Sequence, residues 1–113
     1  MAARYTPDRG DIVWVDFEPQ AGHEQTGRRP ALIVSPQSYN QKVGLALLCP
    51  ITNQRKGYPF EVPLPKGLTV AGVVLADQVK SMDWHARRAE FCCKASAATL
   101  LDVIGKAQSL LAV

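Results

Sequence analysis

A carboxylate, a guanidinium and a hydroxyl group stand near predicted strand ends in the first half of the chain. Glu24 lies in a polar loop, and Arg29 closes that loop directly before Pro30 and an apolar strand. Thr52 follows a second apolar run. If these strand ends are neighbours, the three groups converge, because a strand fixes the side chains beside its end.

Together these groups fit the cleavage of RNA without a metal ion. That reaction needs a base for the 2′-hydroxyl proton, a cation for the phosphorane and a proton source for the departing 5′-oxygen. Glu24 is the candidate base, Arg29 offers a donor fork that matches phosphate, and Thr52 can hydrogen-bond the same phosphate. Because arginine stays protonated, the proton source is left open between Glu24, His23 and water. Taken singly, each residue is more typical of a solvated loop charge or a turn cap than of a catalytic group.

Length and composition are those of a small globular protein. A chain of 113 residues with 47% hydrophobic and 20% charged residues predicts one domain over residues 1–113. The polar N-terminus and the lack of a long apolar run predict a cytoplasmic protein without a membrane contact. The net charge of +3 permits an anionic partner without requiring one.

The three cysteines do not predict a disulfide framework or a zinc site. Their number is odd, and the adjacent Cys92 and Cys93 would point to opposite faces of a strand. Zinc ligation would need His or Cys at spacings such as C-x2-C, and only His23 and His85 are available to help. Strand packing is the role that we expect for Cys92 and Cys93.

The elements that must position the candidate groups are mostly strands. Apolar and alternating runs predict strands over residues 11–17, 31–35, 44–49, 60–64, 69–75 and 84–93. A long polar loop is expected over 18–30, a turn or short helix over 37–43, and an edge strand at 60–64 because of its prolines. Ser96 can cap a C-terminal helix. The predicted fold is therefore mainly β (α+β), a small curved antiparallel barrel with the helix packed against it.

Four segments resemble the MazF/PemK toxin family in order along nearly the whole chain. RYTPDRGDIVWVDFEP is similar to the family's opening strand, and GHEQTGRRPALIVSP to its first loop and second strand. KGYPFEVPL and ADQVKSMDW are similar to its later signatures. Two features differ from the classical sequence: Arg28 replaces a histidine before the Arg-Pro pair, and the stretch 65–72 is not alike.

The resemblance implies an SH3-like barrel, a homodimer and a cofactor-free endoribonuclease. Its expected products from single-stranded RNA are a 2′,3′-cyclic phosphate and a 5′-hydroxyl. By position, Glu24, Arg29 and Thr52 correspond to the family's catalytic residues. The RNA contacts implied by a groove along the dimer interface are Arg28, Asn53, Gln54, Lys56, Gln78 and Lys80.

The same resemblance implies a MazE-like antitoxin whose acidic segment obstructs the RNA groove. Contact with operator DNA is expected only through that antitoxin. Two other functions stay open at this point: a gyrase-poisoning toxin of the CcdB type on the same fold, and a plain SH3-like interaction module supported by Trp14 and Phe17.

Overall fold

The computed structural model describes residues 5–17 and 27–113. Within them, seven strands and two helices follow one another along the chain: β1 (Asp11–Phe17), β2 (Gly27–Ile33), α1 (Gln37–Val43), β3 (Ala46–Thr52), β4 (Glu61–Pro63), β5 (Val73–Leu75), β6 (Lys80–Met82), β7 (Glu90–Lys94) and α2 (Ala97–Ser109).

All strand pairs are antiparallel, and β3 is the central strand. The sheet runs in the order β4-β5-β3-β2-β1-β7, and β6 pairs with the first half of β3. The second half of β3 pairs with β5. The prediction of a mainly β, antiparallel fold with a C-terminal helix is confirmed. No helix in the described part of the chain is long and apolar enough to cross a membrane.

The alternation of side chains along the strands divides the core into two clusters. The helix-side cluster packs beneath α2 and includes Ile12, Leu32, Cys49, Ile51, Val62, Val70, Val74, Ala76 and Val103. The far-side cluster includes Val13, Val15, Ala31, Ile33, Ala46, Leu48 and Met82. Successive residues of one strand therefore face different clusters.

Two strand predictions were wrong at their ends. Strand β2 begins at Gly27 rather than at residue 31, because Arg28 pairs with Asp16 and Arg29 with Val15 across β1. The predicted loop therefore ends earlier than expected. The predicted strand 84–93 begins only at Glu90, since residues 84–88 form turns and Arg88 adopts a left-handed φ of 54°.

The remaining elements differ mainly in length. Strand β3 is shifted to Ala46–Thr52, β5 covers only Val73–Leu75 of the predicted 69–75, and β6 was not predicted. Strand β4 pairs only with β5, so its assignment as an edge strand is confirmed. Residues 37–43 form a helix, and the hydroxyl of Ser96 caps α2 by accepting a hydrogen bond from the Thr99 backbone N–H.

A β-bulge overturns the prediction that Cys92 and Cys93 face opposite sides of their strand. Ile12 pairs with Cys93 and Val13 with Phe91, so Cys92 is the extra residue of β7. A bulge interrupts the alternation of side chains. Both cysteines consequently pack against the helix-side cluster.

Candidate active site on the concave face

The pairing of β2 with β3 brings Arg29 and Thr52 to adjacent strand ends. Ala31 pairs with Pro50 and Leu32 with Cys49. Continued by two residues to the ends of these strands, the same register sets Arg29 opposite Thr52. Directly opposed residues on antiparallel strands point to the same face. The guanidinium and the hydroxyl of the predicted site therefore share one side of the sheet.

Arg29 carries a polar atom that is buried and unsatisfied within the described residues. Its Nε has no hydrogen-bond partner there. A buried N–H without an acceptor costs about 1–3 kcal/mol, and such groups in folded proteins call for a physical explanation. An oxygen-bearing group that enters from outside the described residues would satisfy it.

The sheet curves around Arg29. Phe17 ends β1 and Lys80 begins β6, and these strands are separated in the sheet by β2 and β3. Three strand spacings would separate them by roughly 14 Å if the sheet were flat, yet the Lys80 ammonium lies 5.6 Å from the centre of the Phe17 ring. The face is therefore concave. We call Phe17, Arg29, Thr52 and Lys80 the concave site.

Thr52 is held in place from both sides. Its Oγ1 accepts a hydrogen bond of 3.1 Å from the Gln54 backbone N–H, which leaves the hydroxyl proton free to be donated. On the β5 side, Gly72 lies directly against the Thr52 backbone: a Cβ atom added to Gly72 would stand 2.2 Å from the Thr52 carbonyl oxygen. Gly72 also has a φ of +119°, which side chains rarely tolerate.

Arg28 points away from the concave site. As the neighbour of Arg29 on a strand, it faces the other side, where its Nη1 lies 3.0 Å from Asp16 and its Nη2 lies 3.2 Å from Glu90. Arg88 donates from Nε to the second Asp16 oxygen at 2.6 Å. The Arg88 and Arg28 hydrogen bonds hold the pKa of Asp16 below its usual value. Two cations and two anions thus compensate each other, and the structure does not group Arg28 with Arg29.

The other predicted RNA contacts surround the end of β3. Asn53 and Gln54 follow Thr52 directly and are exposed. Lys56 is exposed at a turn whose backbone N–H groups at residues 56 and 57 both donate to the Glu61 carboxylate, at 2.8 and 2.9 Å. This double hydrogen bond fixes the base of the Lys56 side chain.

Gln78 belongs to a polar group on the approach to β6. Its side chain lies near the Tyr58 hydroxyl, which donates a hydrogen bond to Asp77 at 2.9 Å. Lys80 follows two residues later on the concave site. Thr52 and Lys80 thus belong to the concave site, whereas Glu24 and His23 lie outside the described residues.

Two features of the concave site were missed by sequence reasoning. The sequence names Phe17 only in support of an interaction module, and the curvature of the sheet reveals its contact with Lys80. Gly72 lies within the predicted strand 69–75, although its positive φ and its contact with Thr52 make it part of the site's support. A glycine inside an apolar run was the available signal.

The fold and the concave site define a small antiparallel barrel with two cations and a hydroxyl on a curved face. A family model described as "PemK-like, MazF-like toxin of type II toxin-antitoxin system" matches residues 8–111. The chain belongs to this toxin family.

Named relatives agree with that assignment. The chain is 57% identical over 89 residues to the endoribonuclease toxin MazF of Escherichia coli K12, with 79% of each chain covered. It is 51% identical to the endoribonuclease toxin ChpB of the same organism, over 74% of this chain and 75% of the relative. The crystal structure of MazF from Deinococcus radiodurans superposes with a TM-score of 0.89 at 57% identity, covering 96% of this chain and 98% of that one.

Proposed function

We propose that this protein is the toxin of a type II toxin–antitoxin pair and acts as an endoribonuclease on single-stranded RNA. The buried Nε of Arg29, which has no hydrogen-bond partner among the described residues and stands at a strand end next to that of Thr52, is the observation that carries the proposal. A phosphate oxygen is the acceptor that a guanidinium fork matches best. Relatives named as endoribonucleases support the same activity, and none of them favours the gyrase-poisoning alternative or a plain interaction module.

In the proposed mechanism, Arg29 binds the scissile phosphate and stabilises the negative charge that develops when the 2′-oxygen attacks. A fixed cation in a curved, partly dehydrated face is effective in this role because it needs no reorganisation. The Thr52 hydroxyl already accepts a hydrogen bond from Gln54, so its proton remains available for donation to a non-bridging phosphate oxygen.

Glu24 removes the 2′-hydroxyl proton in this proposal, and Glu24, His23 or water returns a proton to the 5′-oxygen. Attack by the 2′-oxygen breaks the bond to the 5′-oxygen, so the products are a 2′,3′-cyclic phosphate and a 5′-hydroxyl. No metal ion or organic cofactor takes part in these steps.

The function is tested by incubating purified protein with a long, defined single-stranded RNA in EDTA and mapping every new end. Cuts at one recurring short motif, with 5′-hydroxyl and cyclic phosphate ends, are expected. Intact RNA after incubation with folded protein, together with trapped gyrase–DNA complexes in a parallel assay, would replace this proposal with the gyrase-poisoning one.

The RNA backbone is proposed to run past Lys80, Gln78 and Lys56, with Asn53 and Gln54 near the bases. Replacing Lys80 by alanine should weaken RNA binding and lower the slope of log K against log salt by about 0.7, because one phosphate contact is lost. Filter binding of an uncleavable RNA at several salt concentrations measures this slope. Lys42→Ala, which removes an exposed cation from α1, serves as the control. Equal salt slopes for the two variants would show that Lys80 does not contact the RNA backbone.

A homodimer is proposed through an apolar groove between α2 and the β3 side of the sheet. The groove measures about 870 Å³, and its lining includes Leu47, Val79, Leu101 and Leu111, all of which are exposed. Arg9 and Asp77 also line it. A surface that carries one cation and one anion is self-complementary across a two-fold axis, which favours a second copy of this chain as the occupant.

Leu101→Asp is expected to convert the dimer to a monomer, since it places a charge in the centre of the buried patch. Light scattering during gel filtration would show a mass of 12.3 kDa instead of twice that value. Ala98→Asp adds the same charge to an exposed position of α2 outside the groove and should stay dimeric. If Leu101→Asp keeps the mass of the dimer, the dimer interface lies outside this groove.

The proposed regulator is a MazE-like antitoxin, as in the MazE–MazF complex of Deinococcus radiodurans, to which this chain is 57% identical. An acidic, initially disordered segment can occupy the sites of RNA phosphates on the concave face. Contact with operator DNA belongs to the antitoxin in this proposal. Since mRNA is the expected target, the toxin acts in the cytoplasm.

A further inference from the structure

The β-bulge in β7 places two thiols side by side. Cys92 is the extra residue of the bulge, and both cysteines pack against the helix-side cluster. Neither forms a disulfide, and each is half-buried on a strand that pairs only with β1. The pair is therefore reachable from solvent and is oriented as a pair, which a regular strand would prevent.

The surroundings of the Cys93 sulfur include the Cys92 side chain and the Thr69 backbone. Burial, followed by the neighbouring Cys92, raises the pKa of Cys93, which keeps that group in its thiol form near neutral pH. Cys49 differs: it is fully buried in the core, and burial raises its pKa to about 12.

A direct disulfide between these two residues would be strained. Consecutive Cα atoms are about 3.8 Å apart across a trans peptide, whereas disulfides join Cα atoms at about 4.4–6.8 Å. The chain has no cis peptide bond in its described part. One atom inserted between the two sulfurs enlarges the ring that a direct disulfide would close, and it removes the mismatch between these Cα–Cα distances.

We propose that Cys92 and Cys93 form a binding site for a trivalent arsenical, whose arsenic bonds to both sulfurs and keeps one further substituent. Soft thiol ligands select soft, thiophilic centres such as trivalent arsenic. Structural zinc needs four ligands, and the described residues contain no group of three or more His, Cys, Asp or Glu that could hold a metal ion. The two thiols therefore fit a centre that needs only two protein ligands.

The binding reaction balances without an oxidant. With phenylarsine oxide as the probe, two arsenic–sulfur bonds form, the arsenic–oxygen double bond breaks, and the two thiol protons leave with that oxygen as one water molecule. Arsenic stays trivalent. Because Cys93 enters the reaction as a thiol and its proton leaves with the oxygen, the raised pKa of Cys93 does not oppose the overall reaction.

Native mass spectrometry of the folded protein with equimolar phenylarsine oxide tests the proposal. One arsenical per chain is expected in the presence of excess glutathione, and a small dithiol should remove it. Since the second thiol acts intramolecularly, Cys92→Ser and Cys93→Ser should each weaken binding by about 10²-fold or more. Cys49→Ala keeps the pair and should bind as the wild type does.

Peptide mapping of the wild-type adduct keeps the test decisive if a variant does not fold. The arsenical is expected on the peptide that contains both Cys92 and Cys93. An adduct on Cys49, binding that glutathione abolishes, or undiminished binding by either folded serine variant would overturn the proposal. None of these outcomes depends on ribonuclease activity, because the dithiol packs against the helix-side cluster and Arg29 lies on the other face.

Discussion

Arg29→Met is expected to reduce RNA cleavage by about 10²–10³-fold or more while leaving the protein folded. Loss of one fixed donor to a developing oxyanion has an effect of that size, and Arg29 is also one of the two cations of the concave site. Methionine retains an unbranched stem of similar length, so the packing beneath the guanidinium is largely preserved. Single-turnover cleavage of a short RNA with one site measures the effect.

The stability of the same variant separates a functional arginine from a structural one. The Nε of Arg29 is buried without a partner among the described residues, so its removal eliminates an unfavourable group rather than a hydrogen bond. Urea unfolding should therefore give a free energy of unfolding no more than about 1 kcal/mol below wild type. A larger loss would indicate that Arg29 supports the fold.

Arg29→Lys tests whether charge alone is sufficient. Lysine keeps the positive charge but lacks the planar fork, which matters where two phosphate oxygens are bound at once. We expect cleavage by this variant to stay at least 10-fold below wild type, since even one lost transition-state hydrogen bond of about 1.4 kcal/mol gives that factor. Wild-type turnover by folded Arg29→Met or Arg29→Lys would exclude the proposed mechanism.

The elements with strong local signals were predictable from the sequence. The strand 11–17 has a run of β-branched and aromatic residues, and α2 has both an apolar stripe and Ser96 as its cap; both appear where the pattern placed them. Elements that depend on distant partners were not. Residues 27–30 look like a loop because they contain Gly, Pro and two arginines, yet pairing with β1 makes them a strand.

The same limitation explains which site residues could be predicted. Thr52 and Arg29 each stand at the end of an apolar run, so their meeting required only that two consecutive strands pair. The separation of Arg28 from Arg29 follows from alternation along a strand, but this rule applies only after residues 27–30 are recognised as part of one. The contact of Phe17 with Lys80 depends on curvature across four strands, which no local pattern encodes.

Gly72→Ala is expected to damage both stability and catalysis because it acts on the backbone of Thr52. The new Cβ would stand 2.2 Å from the Thr52 carbonyl oxygen and 2.9 Å from its carbon, so one strand end must move. Strain of this kind, added to a φ of +119°, should lower the free energy of unfolding by about 2–4 kcal/mol. Urea unfolding measures this change.

Gly67→Ala is the matched control because it introduces the strain of a positive φ without a steric overlap with another residue. Gly67 has a φ of +99° and belongs to the same connection between β4 and β5, but its added Cβ would meet nothing within 4 Å. We expect it to lose about 1 kcal/mol of stability and to cleave RNA at the wild-type rate.

The split between kcat and KM shows whether Gly72 positions the reacting group. A displacement of Thr52 by about 1 Å would reduce kcat by about 10²-fold, whereas KM should change little because Lys80 and its neighbours still bind the RNA. The assay is run at a temperature where unfolding curves show the variant to be folded. If Gly72→Ala cleaves RNA as fast as Gly67→Ala, the close contact between Gly72 and the Thr52 backbone serves only the fold. If the loss is confined to kcat, Gly72 positions Thr52 for the reaction.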